Sequence, residues 1–388
     1  MRVCFVGHSG GLGGAEKSLL EVLKWLNANG VACYVLLPRS GPTEEALRQL
    51  GVVYRVLPYR WWMVEQGTPW WKWLGRRVIN LGLLFPICRQ LRRWDCDLVV
   101  TNTSVVGIGA LAARILNLPH VWHLREFGGE AFGLDFDWGE RLTFWLMGRL
   151  TSTFIANSQV VADEYQRRLP QRPRRVIEVV YQAVSLPQGW KDEEQFWQRG
   201  TKGDVRCVII GALCPRKGQE EAIKAIKELV GRGKRVHLDV VGDGKEAYKR
   251  YLTDLVVSGG LSEFVTFWGF QKNPFPYIAA ADVVLMCSRY EPFGRVTVEA
   301  MKMGKPVIGA RSGGTVELIR DGFNGLLYTP GDCIELADKI WYLYEHPEEA
   351  QKMGENGKRF AEELCSEDKM EEKMLALLQE AINAHRGA

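Results

Sequence analysis

Short runs rich in Val, Ile and Leu alternate with helix-like stretches along nearly the whole chain. In the first half these runs are Val3–Gly7, Ala32–Pro38, Val52–Pro58, Asp97–Thr103, His120–Glu126, Ser152–Ser158 and Val176–Val184. In the second half they are Val205–Leu213, Val236–Gly242, Val265–Phe270, Val283–Ser288, Pro306–Ala310 and Gly325–Thr329. Strands that are apolar at nearly every position are buried on both faces, which is typical of parallel sheets covered by helices. The alternation predicts an α/β protein built from right-handed βαβ units.

The chain length and one polar interruption predict two domains. A chain of 388 residues exceeds the ~100–200 residues typical of one domain. Residues 186–204 are polar, carry turn residues and lack a strand pattern. We therefore expect an N-terminal domain over 1–185, a linker over 186–204, a C-terminal domain over 205–365 and a C-terminal helix over 366–388. Because ligands of open α/β sheets bind beyond the carboxyl ends of the strands, we expect the active site in a cleft between the domains.

The composition excludes several classes of protein. The nine cysteines are odd in number, form no C-x-x-C pair and lie mostly in apolar runs, which indicates reduced thiols rather than a disulfide framework or a zinc site. A net charge of +4 is too mild to imply a nucleic-acid partner. No run approaches the ~20 apolar residues of a spanning helix, and the apolar start is too short for a signal peptide. We expect a cytoplasmic protein.

The segment from Ser288 to Met301 has the composition of a ligand-binding strand-to-helix turn. Pro292 and Gly294 break the chain after a strand, so Glu291 falls on the loop and Glu299 about one turn into the following helix. A helix N-terminus offers unpaired N–H groups that suit phosphate. Two flanking carboxylates can accept hydrogen bonds from sugar hydroxyls. The alternative is that Glu299 only complements the helix dipole and Glu291 is solvated.

This segment, written E-P-F-G-x-x-x-x-E-A-M, resembles the signature of glycosyltransferase family 4. The resemblance continues through residues 304–308, 313–319 and 321–327. Family members are retaining enzymes with the GT-B fold, in which two Rossmann-like domains face each other across a cleft and the C-terminal helices pack back toward the N-terminal domain. The resemblance implies that Glu291 contacts the donor sugar and Glu299 the ribose of the nucleotide, with Phe293 and Gly294 in the same donor-binding loop.

A basic turn, from Gly211 to Gly218, lies between a strand and a helix. Arg216 and Lys217 can clamp a diphosphate through charge-assisted hydrogen bonds and neutralise the charge of a leaving group. An exposed basic turn without a ligand is the alternative. Lys217 matches the Lys-Gly that ends the similar family pattern. The family often has Arg where this chain has Ala212, so we expect Arg216 to take that role.

The first strand is followed by a glycine-rich turn that contains Gly13 and Gly14. Such a turn lets the backbone approach a phosphate closely. A dinucleotide-binding oxidoreductase would have a similar turn, but it would carry an acidic residue at the end of the second strand, where this chain has none. The turn resembles the first loop of the same family, so we expect Gly13 and Gly14 to face the ligand.

Two further positions are expected to contact the donor. His123 lies near the carboxyl end of a strand, where a histidine is more often a core residue. By resemblance it lies near the donor sugar, with a contact or electrostatic role. Phe270 ends the strand at which, in the family, backbone groups bind the nucleotide base. Because backbone groups make this contact, the sequence does not indicate which base is bound. The acidic residues in or beside the loop after His123 could contact acceptor hydroxyls, but we expect most of them to be solvated: Glu126, Glu130, Asp135, Asp137 and Glu140.

Tryptophans are concentrated in one basic segment. Trp61, Trp62, Trp70 and Trp71 lie there beside Lys and Arg residues, an arrangement typical of interfacial membrane segments. A basic patch could meet anionic headgroups and comprises Arg167, Arg168, Arg172, Arg174 and Arg175. The alternatives are an aromatic core or a platform for acceptor sugars. The hypothesis is a lipid-linked acceptor, with peripheral association at the inner face of the membrane.

The resemblance implies a retaining glycosyltransferase that moves a sugar from a nucleotide-sugar donor, a UDP- or GDP-sugar, to a saccharide or lipid-linked acceptor. It implies a nucleotide-sugar-binding C-terminal domain, an acceptor-binding N-terminal domain, and no metal or other cofactor. A nucleotide-sugar epimerase and a non-catalytic partner subunit on the same fold are the alternatives.

Overall fold

A computed structural model describes residues 1–129, 133–151, 153–170, 177–186 and 204–387. Residues 187–203, nearly all of the predicted linker, lie outside these ranges, as do Arg172, Arg174 and Arg175 of the basic patch. The chain divides into two compact units. Unit 1 comprises Met1–Ala183 and Glu367–Ala388, and unit 2 comprises Val184–Ser366.

Unit 1 is built around a parallel sheet. Its strands are β1 (Arg2–Val6), β2 (Ala32–Leu37), β3 (Val53–Val56), β4 (Met63–Glu65), β5 (Leu98–Asn102), β6 (His120–Leu124), β7 (Leu134–Phe136), β8 (Thr153–Ala156) and β9 (Ile177–Val179). Among the described residues, seven strands form the sheet in the order β3-β2-β1-β5-β6-β8-β9. The short strands β4 and β7 pair antiparallel with each other outside that sheet, and the sequence did not indicate them.

Successive side chains of each strand lie alternately on the two faces of this sheet. Val3 and Phe5 of β1 lie in one buried cluster, and Cys4 and Val6 lie in another, as the two-residue period of a strand requires. The helices that follow these strands are α1 (Gly14–Ala28), α2 (Pro42–Gln49), α3 (Trp70–Arg93), α4 (Ile108–Ile115), α5 (Glu140–Leu150) and α6 (Gln159–Arg168).

Unit 2 has the same layered plan. Its strands are β10 (Val205–Ile210), β11 (Val236–Val241), β12 (Val265–Gly269), β13 (Val283–Met286), β14 (Val307–Ala310) and β15 (Leu326–Tyr328). They pair parallel in the order β12-β11-β10-β13-β14-β15. Its helices are α7 (Gln219–Gly231), α8 (Glu246–Ser258), α9 (Phe275–Ala280), α10 (Arg295–Lys302), α11 (Thr315–Leu318), α12 (Cys333–Glu345) and α13 (Pro347–Leu364).

The last helix, α14 (Glu367–Arg386), belongs to unit 1 rather than to unit 2. Its Met374 and Leu378 are buried in the same cluster as Val3, Phe5 and Leu19 of α1. Every strand run predicted from the apolar alternation overlaps a strand of one of the two parallel sheets, so the predicted α/β class is confirmed.

Candidate functional site

The sheet of unit 2 reverses its strand order between two central strands. β10 pairs with β11 on one side and with β13 on the other. Ligands of open α/β sheets bind outside the carboxyl ends of strands at such a switch point. The loops that leave β10 and β13 there contain residues 211–218 and 287–294, which are the basic turn and the acidic motif of the sequence.

Close backbone contact holds these two loops together. The amide of Arg289 donates a hydrogen bond to the carbonyl of Arg216, with an N–O distance of 2.9 Å. Gly218 has φ +72°, and a Cβ atom at this position would lie 2.1 Å from the carbonyl oxygen of Cys287. Only glycine allows both the left-handed conformation and the close approach. The two loops are therefore fixed side by side.

This packing places Lys217 against Glu291. Lys217 Nζ lies 2.6 Å from Glu291 Oε2, and the two side chains are only 21% and 10% exposed. Burial alone would raise the pKa of Glu291, but the charge of Lys217 and hydrogen bonds from Lys217 and Ser288, with a smaller effect of Arg216, lower that pKa below its ordinary value. Glu291 is therefore an ionised hydrogen-bond acceptor.

Two glycines support the backbone of this motif. The amide of Gly314 donates to the carbonyl of Glu291 at 2.6 Å, and a Cβ atom at Gly313 would lie 2.4 Å from the same oxygen. Phe293 is buried, so its ring is not available at the surface. Gly294, with φ +100°, directly precedes α10.

The start of α10 lies beside the ion pair. Its first turn has backbone N–H groups without intrahelical partners, and the buried hydroxyl of Thr297 has no hydrogen-bond partner among the described residues. Glu299 is mostly buried further along the same helix, with Oε1 3.9 Å from Nη2 of Arg295. The Lys217–Glu291 pair and the first turn of α10 therefore lie next to each other, and cations beside N–H donors suit a phosphate group.

Phe270 follows β12 at the edge of the sheet and is 70% exposed. Just before it, Trp268 Nε1 donates to Asp239 Oδ1 at 2.7 Å, and Arg206 Nε donates to Asp239 Oδ2 at 2.6 Å. The Trp268 bond fastens the end of β12 to β11, and the ring of Phe270 is exposed just beyond it.

Sequence reasoning missed the buried carboxylate of Glu221 in the first turn of α7. Its oxygens accept hydrogen bonds from Arg289 Nε at 2.8 Å, from the Tyr328 hydroxyl at 2.9 Å and from the Gly331 amide at 3.0 Å. Glu221 thereby anchors the loop that carries Glu291. An acidic residue in a first helical turn is too common to be a signal, and its partners lie far away along the chain.

The glycine-rich turn of unit 1 lies at the corresponding switch point, where β1 pairs with both β2 and β5. Gly13 is the N-cap of α1, and Gly14 is its first residue. A Cβ atom at Gly13 would lie 2.9 Å from Oε2 of Glu16. Glu16 is buried, and its Oε1 lies 3.2 Å from His8 Nε2.

His123 is a buried histidine at the carboxyl end of β6. Its Nδ1 lies 3.2 Å from Nη2 of Arg125, and Nε of Arg125 donates to Asn102 Oδ1 at 2.6 Å. Because a guanidinium only donates, Nδ1 accepts and the proton lies on Nε2. Burial and the charge of Arg125 lower the pKa of His123 well below its ordinary value. Nε2 has no hydrogen-bond partner in the described part of the chain, so His123 is a neutral donor rather than a base.

Two acidic residues after His123, Glu126 and Asp137, are not solvated as expected, whereas Glu140 is exposed, Asp135 is half-buried and Glu130 lies outside the described residues. Glu126 Oε1 accepts hydrogen bonds from the amide and hydroxyl of Ser104. Asp137 is buried, and neither of its carboxylate oxygens has a hydrogen-bond partner among the described residues. Burial raises the pKa of Asp137 to about 7, although Arg77 and Arg76 oppose the shift. The pairing of β4 with β7 places this loop against Trp62. Sequence reasoning could not foresee this contact.

The four tryptophans predicted to meet a membrane or an acceptor lie in different environments. Trp62 is buried and stacks on Trp122 with a ring-centroid distance of 5.5 Å, so its assignment to an exposed segment is corrected to the core. Trp61 is half-buried and donates from Nε1 to the His8 carbonyl at 2.7 Å. Trp70 and Trp71 begin α3 and are well exposed. No helix in the described ranges is long and apolar enough to cross a membrane.

Comparisons with known proteins agree with this architecture. A model for group 1 glycosyl transferases matches residues 191–360, and a model for glycosyltransferase family 4 matches residues 12–187. A glycosyltransferase of Methanocaldococcus jannaschii is 30% identical over 67% of this chain and 68% of its own length. The lipopolysaccharide core biosynthesis glycosyltransferase LpsD of Rhizobium meliloti is 29% identical over 87% of this chain and 92% of its own.

The solved structure of HepE from Anabaena in complex with UDP-glucose is also similar. It superposes with a TM-score of 0.81 at 26% identity, over 98% of this chain and 100% of that chain. The two parallel α/β units therefore define a glycosyltransferase of the GT-B fold. Within that class, the chain belongs to glycosyltransferase family 4.

Proposed function

We propose that this protein transfers a sugar from a nucleotide-sugar donor to a saccharide or lipid-linked acceptor, with retention of anomeric configuration and without a metal. The observation that carries the proposal is the buried Lys217–Glu291 pair, 2.6 Å apart, at the switch point of unit 2 beside the first turn of α10. Lys217 has three N–H donors, of which Glu291 takes one, so the ammonium can also bind phosphate.

We assign the donor to unit 2. Lys217, Arg216 and the N–H groups of α10 would neutralise the diphosphate, a role that needs no metal ion. Glu299 would bind the ribose, Gly294 and the backbone of Phe293 would line the donor, and the exposed ring of Phe270 would lie against the base. The UDP-glucose bound by HepE supports a UDP-sugar, with a GDP-sugar as the other choice.

We assign the acceptor to unit 1, together with the donor contacts of Gly13, Gly14 and His123 that the family resemblance implies. The Nε2–H group of His123 is a buried neutral donor and suits a sugar hydroxyl. Its low pKa argues against a role as general base.

Retention is proposed through attack on the face from which the diphosphate leaves. The bond between the anomeric carbon and the diphosphate oxygen breaks while the acceptor oxygen bonds to that carbon. The acceptor proton passes to the departing phosphate oxygen, and the cations stabilise the charge that develops there. Ionised Glu291 would orient the donor sugar by accepting hydrogen bonds from its hydroxyls.

Incubation with UDP-, GDP- and ADP-sugars tests the reaction class. Glycosyl transfer, or slow hydrolysis without acceptor, is the expected result, and the anomeric configuration of the product is then read by proton NMR. Formation of an epimer would support the epimerase alternative. A chain that binds no nucleotide sugar and turns none over would be a non-catalytic partner subunit, and either outcome overturns the proposal.

The site of action is proposed to be the cytoplasmic face of a membrane, where a lipid-linked acceptor would be found. The exposed Trp70 and Trp71 support this placement, whereas Trp62 does not contribute to it.

A further inference from the structure

Helix α3 presents an exposed apolar stripe along one face. Its members recur every three or four residues, which places them on one side of a helix, and each is at least half exposed: Trp70, Leu74, Val78, Leu81 and Phe85. At 1.5 Å per residue the stripe is about 22 Å long. Trp71 is exposed on its flank, and Ile79 is exposed further round the helix. Large contiguous apolar surfaces of this kind mark interaction sites.

An adjacent face and the last turns of α3 are fixed to unit 1. Ile87, Cys88 and Leu91 are buried in its core, and Arg76 Nη1 donates to the carbonyl of Met63 at 2.9 Å. Asn80 exchanges hydrogen bonds with the backbone of Arg60 at 2.8 and 3.0 Å. The stripe therefore faces outward from unit 1 because the adjacent face of the helix is anchored, and not because the helix lacks packing.

The charge of α3 identifies the kind of partner that the stripe fits. The helix has six basic residues and no acidic residue. Lys72, Arg89, Arg92 and Arg93 are exposed, and the three arginines continue the exposed face beyond Phe85. Tryptophan and aliphatic side chains with flanking cations and no carboxylates match the interface of an anionic bilayer, where apolar groups enter the acyl boundary and cations meet headgroups.

We propose that α3 binds an anionic lipid surface and lies in the plane of the membrane without crossing it. Arg76 and Arg77 hold the helix on the protein, through the Met63 carbonyl and a cation–π contact with Trp138 at 5.0 Å. Bilayer binding brings a lipid-linked acceptor to unit 1, and in this respect the inference rests on the proposed function. The residues that meet the bilayer include Leu74, Val78 and Phe85, whereas the buried Trp62 takes no part.

Vesicle sedimentation with the full chain tests the assignment. The probes are phosphatidylcholine vesicles with and without phosphatidylglycerol. The stripe variant is Leu74→Gln/Val78→Gln/Phe85→Gln, and the charge variant is Lys72→Gln/Arg89→Gln/Arg93→Gln. The matched control, Val257→Gln/Ile334→Gln, removes exposed apolar side chains from unit 2 instead. All of these positions are exposed, and an unchanged unfolding temperature verifies folding.

The unaltered chain and the control should bind the anionic vesicles, and binding should weaken with added salt. The stripe variant should bind at least tenfold more weakly. The charge variant should lose on the order of 100-fold, at about fivefold for each cation. Equal binding by the stripe variant would overturn the proposal. So would a dimer of the unaltered chain, measured by sedimentation velocity, that the stripe variant converts to monomers, because the stripe would then cover a second copy.

Binding of UDP at the donor site distinguishes failure of this inference from failure of the proposed function. Stabilisation of the chain by added UDP should be the same in the unaltered chain and in all three variants, since none of the substituted residues lies in the donor site. Loss of vesicle binding with unchanged stabilisation by UDP supports the inference. Normal vesicle binding without nucleotide-sugar turnover would instead reject the proposed function alone.

Discussion

Replacement of Lys217 by methionine should destabilise unit 2, because it leaves the carboxylate of Glu291 buried without its principal partner. Removal of one member of a buried ion pair costs about 3–5 kcal/mol. Since the Lys217 side chain is 21% exposed, we expect the lower end, about 3 kcal/mol. For a domain of this size each kcal/mol lowers the melting temperature by about 2–4 °C, so the expected decrease is about 6–12 °C.

The double variant Lys217→Met/Glu291→Gln separates this cost from general damage to the loop. It removes both charges, so part of the lost stability should return, with a coupling energy of about 2 kcal/mol. The matched control is the pair of Lys224 and Glu220, whose Nζ–Oε1 distance is 2.5 Å on the more exposed surface of α7. Lys224→Met should cost no more than about 1 kcal/mol, as exposed pairs do.

Denaturant unfolding at pH 7 of the unaltered chain, the two lysine variants, Glu291→Gln and the double variant measures these differences. The lowered pKa of Glu291 means that the stabilisation is present above the ordinary value of 4.5 and is lost as the pH falls through the folded-state value. Equal destabilisation by Lys217→Met and Lys224→Met, or a coupling energy near zero, would refute the reasoning.

Two other substitutions test the loop geometry and the buried acid. Gly218→Ala should destabilise the protein more than Gly304→Ala: both glycines have φ near +70°, but a Cβ atom would lie 2.1 Å from the Cys287 carbonyl oxygen in the first case and would meet nothing within 4 Å in the second. Thermal unfolding compares them, and equal losses would contradict the close approach of the two loops. Asp137→Asn should stabilise the chain at pH 8 and have little effect at pH 4. The folded-state pKa of Asp137 is raised from 3.8 to about 7, so the unaltered protein loses stability as the pH rises between these values. A stability difference that does not change between pH 4 and pH 8 would show that Asp137 ionises normally.

The parallel sheets could be predicted because their strands are apolar at nearly every position. The pair formed by β4 and β7 could not, since three-residue strands are too short to show a period. Helix α3 was also missed as a helix. Its exposed face is apolar as well as its buried face, so the usual helical alternation is absent, and Gly75, Gly82 and Pro86 interrupt the sequence.

The site illustrates the same limit. Motif spacing indicated that Lys217 and Glu291 follow strands, but their contact depends on β10 and β13 being neighbours, which the sequence does not state. Burial of Trp62 and Asp137 likewise depends on a remote strand pairing. The partners of Glu221 are brought together only by the folded chain, so no local pattern could have indicated them.

Nucleotide-sugar turnover by the two lysine variants tests the central claim most directly. If Lys217 stabilises the departing diphosphate, Lys217→Met should lower kcat/KM by about 10²–10³, while Lys224→Met should leave it unchanged. Equal kcat/KM values for Lys217→Met and the unaltered enzyme, under conditions where both are folded, would contradict the claim.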